Sequence, residues 1–348
     1  MSFKVKVLKF GGTSVGSVES LRNVKDIVKG QTQPVIVVVS ALGGVTNQLI
    51  EMTRLAQEGD DAYLPILEQV ADRHRQVIAG VVPELLQAQC NAIVAQFIDN
   101  LRSFYGTLAL NRDMAPEEQH LLADAIVCHG EVMSSAIVSC MIEGSVPHFS
   151  PSFIKTRTVE GVRQLEADLT RQLIQNEWRE GVEGIHVAQG FIAGDVDAEV
   201  KTNLGRGGSD FTAALIAAAL HAECLEIWTD VDGFYDKDPR KHEDARLLSQ
   251  MTYQQAHELC DAGAKVIYPP TLTRRLISLG MLMSNERVPA TRCARRMPRF
   301  LVTIAAAIVE ARSSTTITTS TGCSSRKASN SAITRLVISF SFTLSTPR

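Results

Sequence analysis

The sequence predicts an α/β fold in which a mainly parallel central sheet lies between two layers of helices, a three-layer α/β/α sandwich. The first observation is the apolar alternation of Phe3, Val5 and Val7, which has the period of a strand. The second is the continuous β-branched run at 34–39, which is typical of a strand buried on both faces. The third is that each segment runs into a glycine turn followed by a helical pattern.

The first glycine turn follows the first strand, at Lys9-Phe10-Gly11-Gly12-Thr13-Ser14. Glycines adopt backbone angles closed to other residues and let main-chain N–H groups approach an anion closely. A helix expected to begin near Val15 would point the positive end of its dipole at the same place, and Lys9 would add a mobile charge. Because the lysine precedes the glycines, this is not a P-loop. The turn is either a phosphate site of another fold or only a tight strand-to-helix connection.

The same arrangement occurs twice more along the chain. The second strand ends in the glycine turn at 40–46. A third glycine loop, 204–210, opens onto an alanine-rich helix predicted over 211–220, with Ser209 or Asp210 as its N-cap. Three such turns predict a ligand bound along one edge of the sheet, because the carboxyl ends of parallel strands meet there.

The segment between Thr53 and Leu122 is predicted to form several helices that cap the amino-terminal lobe. Glycine is scarce in it, and Leu, Ala, Gln and Glu dominate. We assign it no chemistry. His129 could be a ligand, but a single histidine beside a glycine is interpreted as structural.

Six motifs, in unbroken order between Val5 and about Thr271, resemble the aspartate kinases of the amino acid kinase superfamily. The similarity is greatest to the kinase portion of the bifunctional aspartokinase/homoserine dehydrogenases. One motif alone would only be suggestive, whereas six in order are specific. The motifs are Lys9-Phe10-Gly11-Gly12-Thr13-Ser14, Val38-Val39-Ser40-Ala41 with Thr46-Asn47, His129-Gly130-Glu131, Gly190-Phe191-Ile192, Leu204-Gly205-Arg206-Gly207-Gly208-Ser209-Asp210 and Trp228-Thr229-Asp230-Val231-Asp232-Gly233.

The resemblance implies the amino acid kinase fold and an aspartate kinase, which uses ATP with Mg²⁺ to convert L-aspartate to 4-phospho-L-aspartate. This reaction is the first step toward lysine, threonine and methionine. The acceptor carboxylate, with an ordinary pKa of about 3.9, is already ionised and needs no general base. The site must instead overcome its repulsion from the triphosphate. The alternatives are a related kinase, such as a glutamate kinase, and a catalytically impaired remnant or regulatory binding subunit.

The resemblance also implies which residues handle the phosphates. Lys9 would contact the transferring phosphoryl group, and Asp210 would organise the lysines of the site, so these two are the predicted catalytic residues. Gly11, Gly12 and Gly44 would supply backbone N–H groups that face the phosphates.

Four further residues would hold aspartate by the same resemblance: Thr46, Glu131, Arg206 and Ser209. The assignment is physically sensible, because Arg206 can bind the α-carboxylate bidentately while Glu131 faces the α-ammonium. A purely structural role is the alternative for Arg206, Asp210 and Thr46.

The nucleotide contacts are implied to lie on the segment 227–240 and on a later segment that begins at Gly263. The residues implied to contact ATP are Thr229, Asp230, Tyr235, Arg240, Lys265 and Val266. A calcium loop is rejected, because its glycine belongs at position 6 and here stands at position 4. We interpret Asp236 and Asp238 as parts of a solvated turn, and predict no metal-ligating side chain.

Composition limits the remaining possibilities. The chain of 348 residues is 45% hydrophobic, enough for a large core. Its seven cysteines form no C-x-x-C pair and no zinc spacing, so we interpret them as reduced thiols of a cytoplasmic protein. We find no signal-peptide block and no apolar stretch near about 18 residues, so we predict neither export nor membrane insertion. The predicted partners are aspartate and ATP, without nucleic acid or membrane; a homo-oligomer stays open.

The segment 273–348 differs in composition from the rest of the chain. It holds twelve Lys and Arg against two acidic residues, about +10, whereas 1–272 holds 23 basic and 36 acidic residues, or −13. It shows no ACT-like sequence. We interpret it as a frameshift product, because 271–275 follows by a one-base deletion from codons for the family-typical Thr-Leu-Tyr-Pro-Ala. A divergent genuine tail and a basic targeting segment are the alternatives. We expect it to pack loosely and to leave the catalytic domain, 1–272, incomplete.

Overall fold

The computed structural model describes residues 5–229, 235–238, 241–246, 248 and 258, and the backbone of the last four strands. The strands are β1 (Lys6–Phe10), β2 (Val35–Val39), β3 (Val146–His148), β4 (Lys155–Val159), β5 (Val162–Leu165), β6 (Ile185–Gln189), β7 (Ile192–Asp195), β8 (Lys201–Asn203), β9 (Cys224–Thr229), β10 (Gln250–Thr252), β11 (Phe300–Ile308), β12 (Thr316–Thr321) and β13 (Thr334–Phe342). The helices are α1 (Val18–Lys29), α2 (Val45–Glu58), α3 (Tyr63–Val81), α4 (Glu84–Leu110), α5 (Pro116–Met141), α6 (Ala167–Glu177) and α7 (Gly208–Ala219).

The main sheet has the strand order β10-β12-β11-β13-β9-β1-β2-β6-β3. The five strands from β9 to β3 in this order are parallel throughout, with β1 between β2 and β9, and β6 between β2 and β3. A smaller sheet has the order β5-β4-β7-β8. The predicted α/β fold with a mainly parallel central sheet is confirmed.

Two apolar cores cover the two faces of the main sheet. Leu8 and Phe10 of β1 pack into the core formed with α1 to α5. Val5 and Val7 point the other way, into the core formed with α6 and α7. Because side chains alternate along a strand, Lys9 shares the face of Val5 and Val7 and points toward α7.

The helix after the first glycine turn begins later than predicted. It starts at Val18 rather than near Val15, and the N-cap Ser17 accepts a hydrogen bond from the backbone N–H of Ser20. A serine side chain satisfies one of the free N–H groups at the helix start, which explains why the helix begins there. The chain between 11 and 17 is therefore a loop.

The N-cap prediction for α7 is wrong by two to three residues. The N-cap is Gly207, at a φ of 72°, and its carbonyl accepts the first turn's N–H bonds. Ser209 and Asp210 lie inside that first turn. Glycine takes this position because its left-handed backbone angle disfavours residues with a Cβ.

The region 53–122 forms helices, as predicted, within α2 to α5. One expectation about hydropathy is wrong. Among the described residues, α5 is long and apolar enough to span a membrane, with an 18-residue window of mean hydropathy 1.5. Since 67% of that window is buried inside the fold, α5 packs as a core helix.

The segment after 272, which is expected to pack loosely, contributes three strands whose backbones pair in the main sheet. β13 pairs antiparallel with β9, β11 pairs parallel with β13, and β12 pairs antiparallel with β11. Without β13, β9 would present unpaired backbone groups along its edge. The sequence of β13, TRLVISFSF, also has the period-2 alternation of a strand.

Candidate active site

The three glycine turns converge at the carboxyl end of the parallel strands. The loop 11–17 leaves β1, and the loop 40–44 leaves the neighbouring β2. The loop 204–207 leads into α7, whose first turn contacts the end of β1 through a side-chain ion pair. This edge is where open α/β sheets bind their ligands.

Lys9 and Asp210 form the ion pair that joins these turns. Lys9 Nζ lies 2.7 Å from Asp210 Oδ1, and the two side chains are only 11% and 12% exposed. The contact does not have hydrogen-bond geometry, so the attraction is mainly between the charges. Gly11 is adjacent, since a Cβ there would lie 3.4 Å from Lys9 Nζ. A nearly buried ion pair is a weak way to stabilise a fold and a frequent feature of functional sites.

The loops after β1 and β2 touch through their backbones. A Cβ on Gly43 would lie 2.9 Å from the carbonyl oxygen of Gly12, and one on Gly16 would lie 3.0 Å from the same atom. A Cβ on Gly12 would lie 3.2 Å from the carbonyl oxygen of Ala41. Gly44, at a φ of 87°, is the N-cap of α2. Of the predicted phosphate-facing glycines, Gly12 is therefore required by the close approach of the two loops, and Gly44 by its backbone angle.

Glu131 lies on α5 beside the loop that follows β2. Burial raises the pKa of Glu131 to about 8, although a hydrogen bond from the backbone of Ala41 and the charge of Lys9 oppose this rise. Its Oε2 is buried and has no hydrogen-bond partner in the part of the chain that the structure describes. Helix α5 lies so close to the loop after β2 that a Cβ on Gly130 would be only 2.8 Å from the Ala41 Cβ. Thr46 is half-buried in the first turn of α2.

The loop before α7 carries the other predicted substrate residues. Gly205 and Gly207 both have positive φ, at 75° and 72°, and the side chain of Arg206 between them is exposed. Ser209 is buried against Gly190, where a Cβ would lie 2.5 Å from the Ser209 Cβ. The structure thus buries Ser209 in the first turn of α7, whereas Arg206 is exposed.

Only part of the predicted nucleotide strip lies within the described residues. Thr229 is half-buried at the end of β9, and Tyr235 is half-buried beyond it. The predictions for Asp230, Arg240, Lys265 and Val266 lie outside the described residues. Asp236 is exposed and accepts a hydrogen bond from the backbone N–H of Arg246 at 2.8 Å, while the backbone carbonyl of Asp238 accepts from two N–H groups at 3.0 Å. Both are placed as turn residues.

His129, interpreted from the sequence as structural, lies in an apolar setting. It is buried, its Nδ1 lies 2.8 Å from the carbonyl oxygen of Ala125, and its ring contacts Phe97 and Phe104 edge-on. Burial lowers the pKa of His129 to about 4, so the ring is neutral near pH 7.

Two groups near the site were missed by sequence reasoning. Asn203 donates to Asp124 Oδ1 at 2.7 Å and accepts from the backbone N–H of Gly205 at 3.0 Å, and Arg163 pairs with the same Asp124. These contacts hold the start of the loop before α7 against α5. Arg73 of α3 contacts the loops after β1 and β2. Neither group belongs to a local motif, so no signal in the sequence indicated it.

Comparison with known proteins agrees with this geometry. Residues 4–274 match the sequence model of the amino acid kinase family. The chain is 35% identical over 279 residues to the chloroplastic bifunctional aspartokinase/homoserine dehydrogenase 1 of Zea mays, covering 76% of this chain and 29% of that protein. It is 33% identical over 279 residues to the lysine-sensitive aspartokinase 3 of Escherichia coli, covering 77% and 58%. The chain thus spans less than a third of the maize protein and under two thirds of the bacterial one.

Solved structures of an aspartokinase also match this chain. The crystal structure of E. coli aspartokinase III in complex with aspartate and ADP, in its R-state, matches with a TM-score of 0.67 and 28% identity. The match covers 79% of this chain and 60% of that one. The T-state structure of that enzyme in complex with lysine and aspartate matches with a TM-score of 0.65, also at 28% identity and over 77% of this chain and 59% of that one.

Proposed function

This chain belongs to the amino acid kinase family, and we propose that it transfers the γ-phosphoryl group of ATP to the side-chain carboxylate of L-aspartate, giving 4-phospho-L-aspartate and ADP. The observation that carries the proposal is the Lys9–Asp210 pair enclosed by three glycine turns at the carboxyl end of parallel strands. The similarity to an aspartokinase whose structure holds aspartate and ADP supports the choice of substrates.

On the phosphate side, we propose that the Lys9 amine contacts the transferring phosphoryl group and stabilises the charge that develops there. Backbone N–H groups of Gly11, Gly12 and Gly44 would face the phosphate oxygens. Asp210 would hold the Lys9 amine in place between turnovers. An oxygen of the acceptor carboxylate forms the new bond to phosphorus while the bond to the β,γ-bridging oxygen breaks. No proton is transferred, so no side chain has to act as a general base.

On the acceptor side, the α-carboxylate of aspartate is proposed to bind the Arg206 guanidinium, and the α-ammonium to bind Glu131. The unpartnered buried Oε2 of Glu131 supports a cationic ligand at this point, because such an atom is costly unless something binds it. Thr46 and Ser209 would complete this side through their hydroxyl groups.

The nucleotide would be held further by Thr229, Asp230, Tyr235, Arg240, Lys265 and Val266. Mg²⁺ fits as a companion of the triphosphate, since this ion commonly uses phosphate oxygens with only one or two carboxylates. In the described part of the chain, no three His, Cys, Asp or Glu side chains are grouped to hold an ion by themselves. When bound, Mg²⁺ neutralises charge on the phosphate oxygens.

The wider setting follows from the proposed reaction. We place it in the cytoplasm, as the first step of lysine, threonine and methionine biosynthesis, with a homo-oligomer as one assembly. We also propose that 1–272 is the catalytic domain, lacking its C-terminal part, and that 273–348 is a frameshift product without an ACT domain. The end of the family match at residue 274 supports this boundary. Resequencing the gene across the codons for 270–275 tests the reading frame.

The test of function is an assay of the full purified chain with Mg²⁺-ATP and either L-aspartate or L-glutamate. The acyl phosphate product is trapped with hydroxylamine and ADP is measured in parallel. Hydroxamate formed with aspartate and not with glutamate is the expected result. Binding of both substrates without turnover would instead support the impaired-remnant alternative.

A further inference from the structure

Arg73 lies on α3 and reaches the back of both phosphate-side loops. Its Nη1 donates to the carbonyl oxygen of Gly43 at 2.7 Å, and its Nη2 donates to the carbonyl oxygen of Gly16 at 2.8 Å. One carbonyl belongs to the loop after β2 and the other to the loop after β1. A single half-buried guanidinium thus joins two loops that leave different strands.

The direction of these bonds matters more than their number. In a planar trans peptide unit, the C=O and the following N–H point in opposite directions. Holding the Gly43 carbonyl from behind therefore fixes the direction of the Gly44 N–H, and holding the Gly16 carbonyl fixes that of the Ser17 N–H. Both groups lie at the start of a helix, where backbone N–H groups lack helical partners and are free to bind an anion.

The guanidinium is suited to this task in a way that other cations are not. Its two terminal nitrogens form a rigid fork that can hold two acceptors at once, whereas a lysine amine is a point charge on a flexible chain. No carboxylate of the described residues pairs with Arg73, so its charge also adds to the positive potential behind the loops.

We propose that Arg73 is a positioning residue for the nucleotide phosphates, which clamps the two loops without contacting either substrate. The inference rests on the proposed function, because it assigns the two loops to ATP. It predicts that Arg73 affects the handling of ATP and leaves the handling of aspartate nearly unchanged. A residue that only stabilised the fold would affect both substrates alike.

The experiment compares Arg73→Lys and Arg73→Met with a matched control on the same helix. Arg75 provides the control, because it is exposed and, among the described residues, pairs with Asp72 one turn away on the same helix. Each lost bond should let one loop relax from its phosphate-binding position, so on the scale of a hydrogen bond to a charged group we expect the KM for ATP to rise about tenfold in Arg73→Lys and about a hundredfold in Arg73→Met. The KM for aspartate should stay within about threefold, and Arg75→Met should match the parent in both constants.

Direct ATP binding by calorimetry, with thermal unfolding of each variant, separates the possible failures. Weaker ATP binding in the Arg73 variants supports the clamp even if the parent chain phosphorylates no aspartate, in which case only the proposed function falls. An active parent with ATP binding unchanged in a folded Arg73→Met overturns the clamp. Equal losses for ATP and aspartate also overturn it, and if Arg73→Met does not fold, the folded Arg73→Lys decides by the same criterion.

Discussion

The phosphate side and the acceptor side of the candidate site are built differently. On the phosphate side, two loops touch backbone to backbone at Gly12 and Gly43, and the Lys9 amine is nearly buried. On the acceptor side, the Arg206 guanidinium is exposed, and burial keeps Glu131 mostly protonated near pH 7. The first side is formed before ligands arrive, whereas the second would need the proposed aspartate to complete its charges. Substitutions on the two sides should therefore change different kinetic constants.

The largest effect is expected from Lys9→Met. Loss of a preorganised cation at the transferring phosphoryl group should cost about 3 to 4 kcal/mol of transition-state stabilisation, or about a hundred- to a thousandfold in kcat. The KM for aspartate should change little. Steady-state kinetics with Lys29→Met as an exposed-lysine control provide the measurement. Near-normal turnover in Lys9→Met would remove the residue from its proposed role.

Arg206→Ala should change the binding of aspartate rather than the turnover number. If the guanidinium pairs with the α-carboxylate of aspartate, its loss should weaken aspartate binding by about 2 to 3 kcal/mol. This is the lower part of the usual range for a lost charge pair, because Arg206 starts in solvent. Calorimetric titration with each substrate should show unchanged ATP affinity. Weakened ATP binding with intact aspartate binding would mean that the two sides are wrongly assigned.

Gly43→Ala tests the close packing of the two loops on the phosphate side. The new Cβ would lie 2.9 Å from the carbonyl oxygen of Gly12, so the loops must separate, at about 1 to 3 kcal/mol of unfolding free energy. Weaker ATP binding should accompany the loss. Gly106→Ala is the control, because a Cβ there meets nothing within 4 Å in the interior of α4, and it should stabilise by about 0.5 to 1 kcal/mol. Chemical denaturation that ranks the two variants equally would contradict the packing argument.

A pH dependence is expected on the acceptor side. Because the pKa of Glu131 is about 8 without ligand, the carboxyl must lose its proton before it can pair with the α-ammonium of aspartate. The KM for aspartate should therefore fall as the pH rises from about 6 to 8, by up to about tenfold per pH unit. Glu131→Gln should remove this slope and leave the KM for ATP unchanged. A slope that persists in the variant would assign the titration to another group.

The Glu131 carboxyl should also make the free energy of unfolding depend on pH. The folded pKa of about 8 lies above the ordinary value of 4.5, so the unfolded chain releases this proton at lower pH. The contribution of Glu131 to the free energy of unfolding should be neutral below about pH 4.5 and increasingly destabilising up to about pH 8. Denaturation of the ligand-free protein at pH 5 and pH 8 should show a smaller difference in Glu131→Gln than in the parent.

Much of the fold could be predicted from the sequence because its signals are local. A β-branched run such as 34–39 needs burial on both faces, and paired glycines mark turns, whatever the rest of the chain does. The helix boundaries differed from those predicted, since α1 begins at Val18 rather than near Val15 and the N-cap of α7 is Gly207. Cap choice depends on backbone angles that are set by the packing of each loop.

The sequence by itself determined the α/β class, the glycine turns and the residue types offered for the site. Only the tertiary structure decided which of them meet: Lys9 with Asp210, Arg73 with two separate loops, and Asn203 with Asp124. The pairing of β13 with β9 was likewise decided by the sheet. The reason is physical: periodicity and turn chemistry act between near neighbours in the chain, whereas ion pairs and strand edges find partners by distance in space.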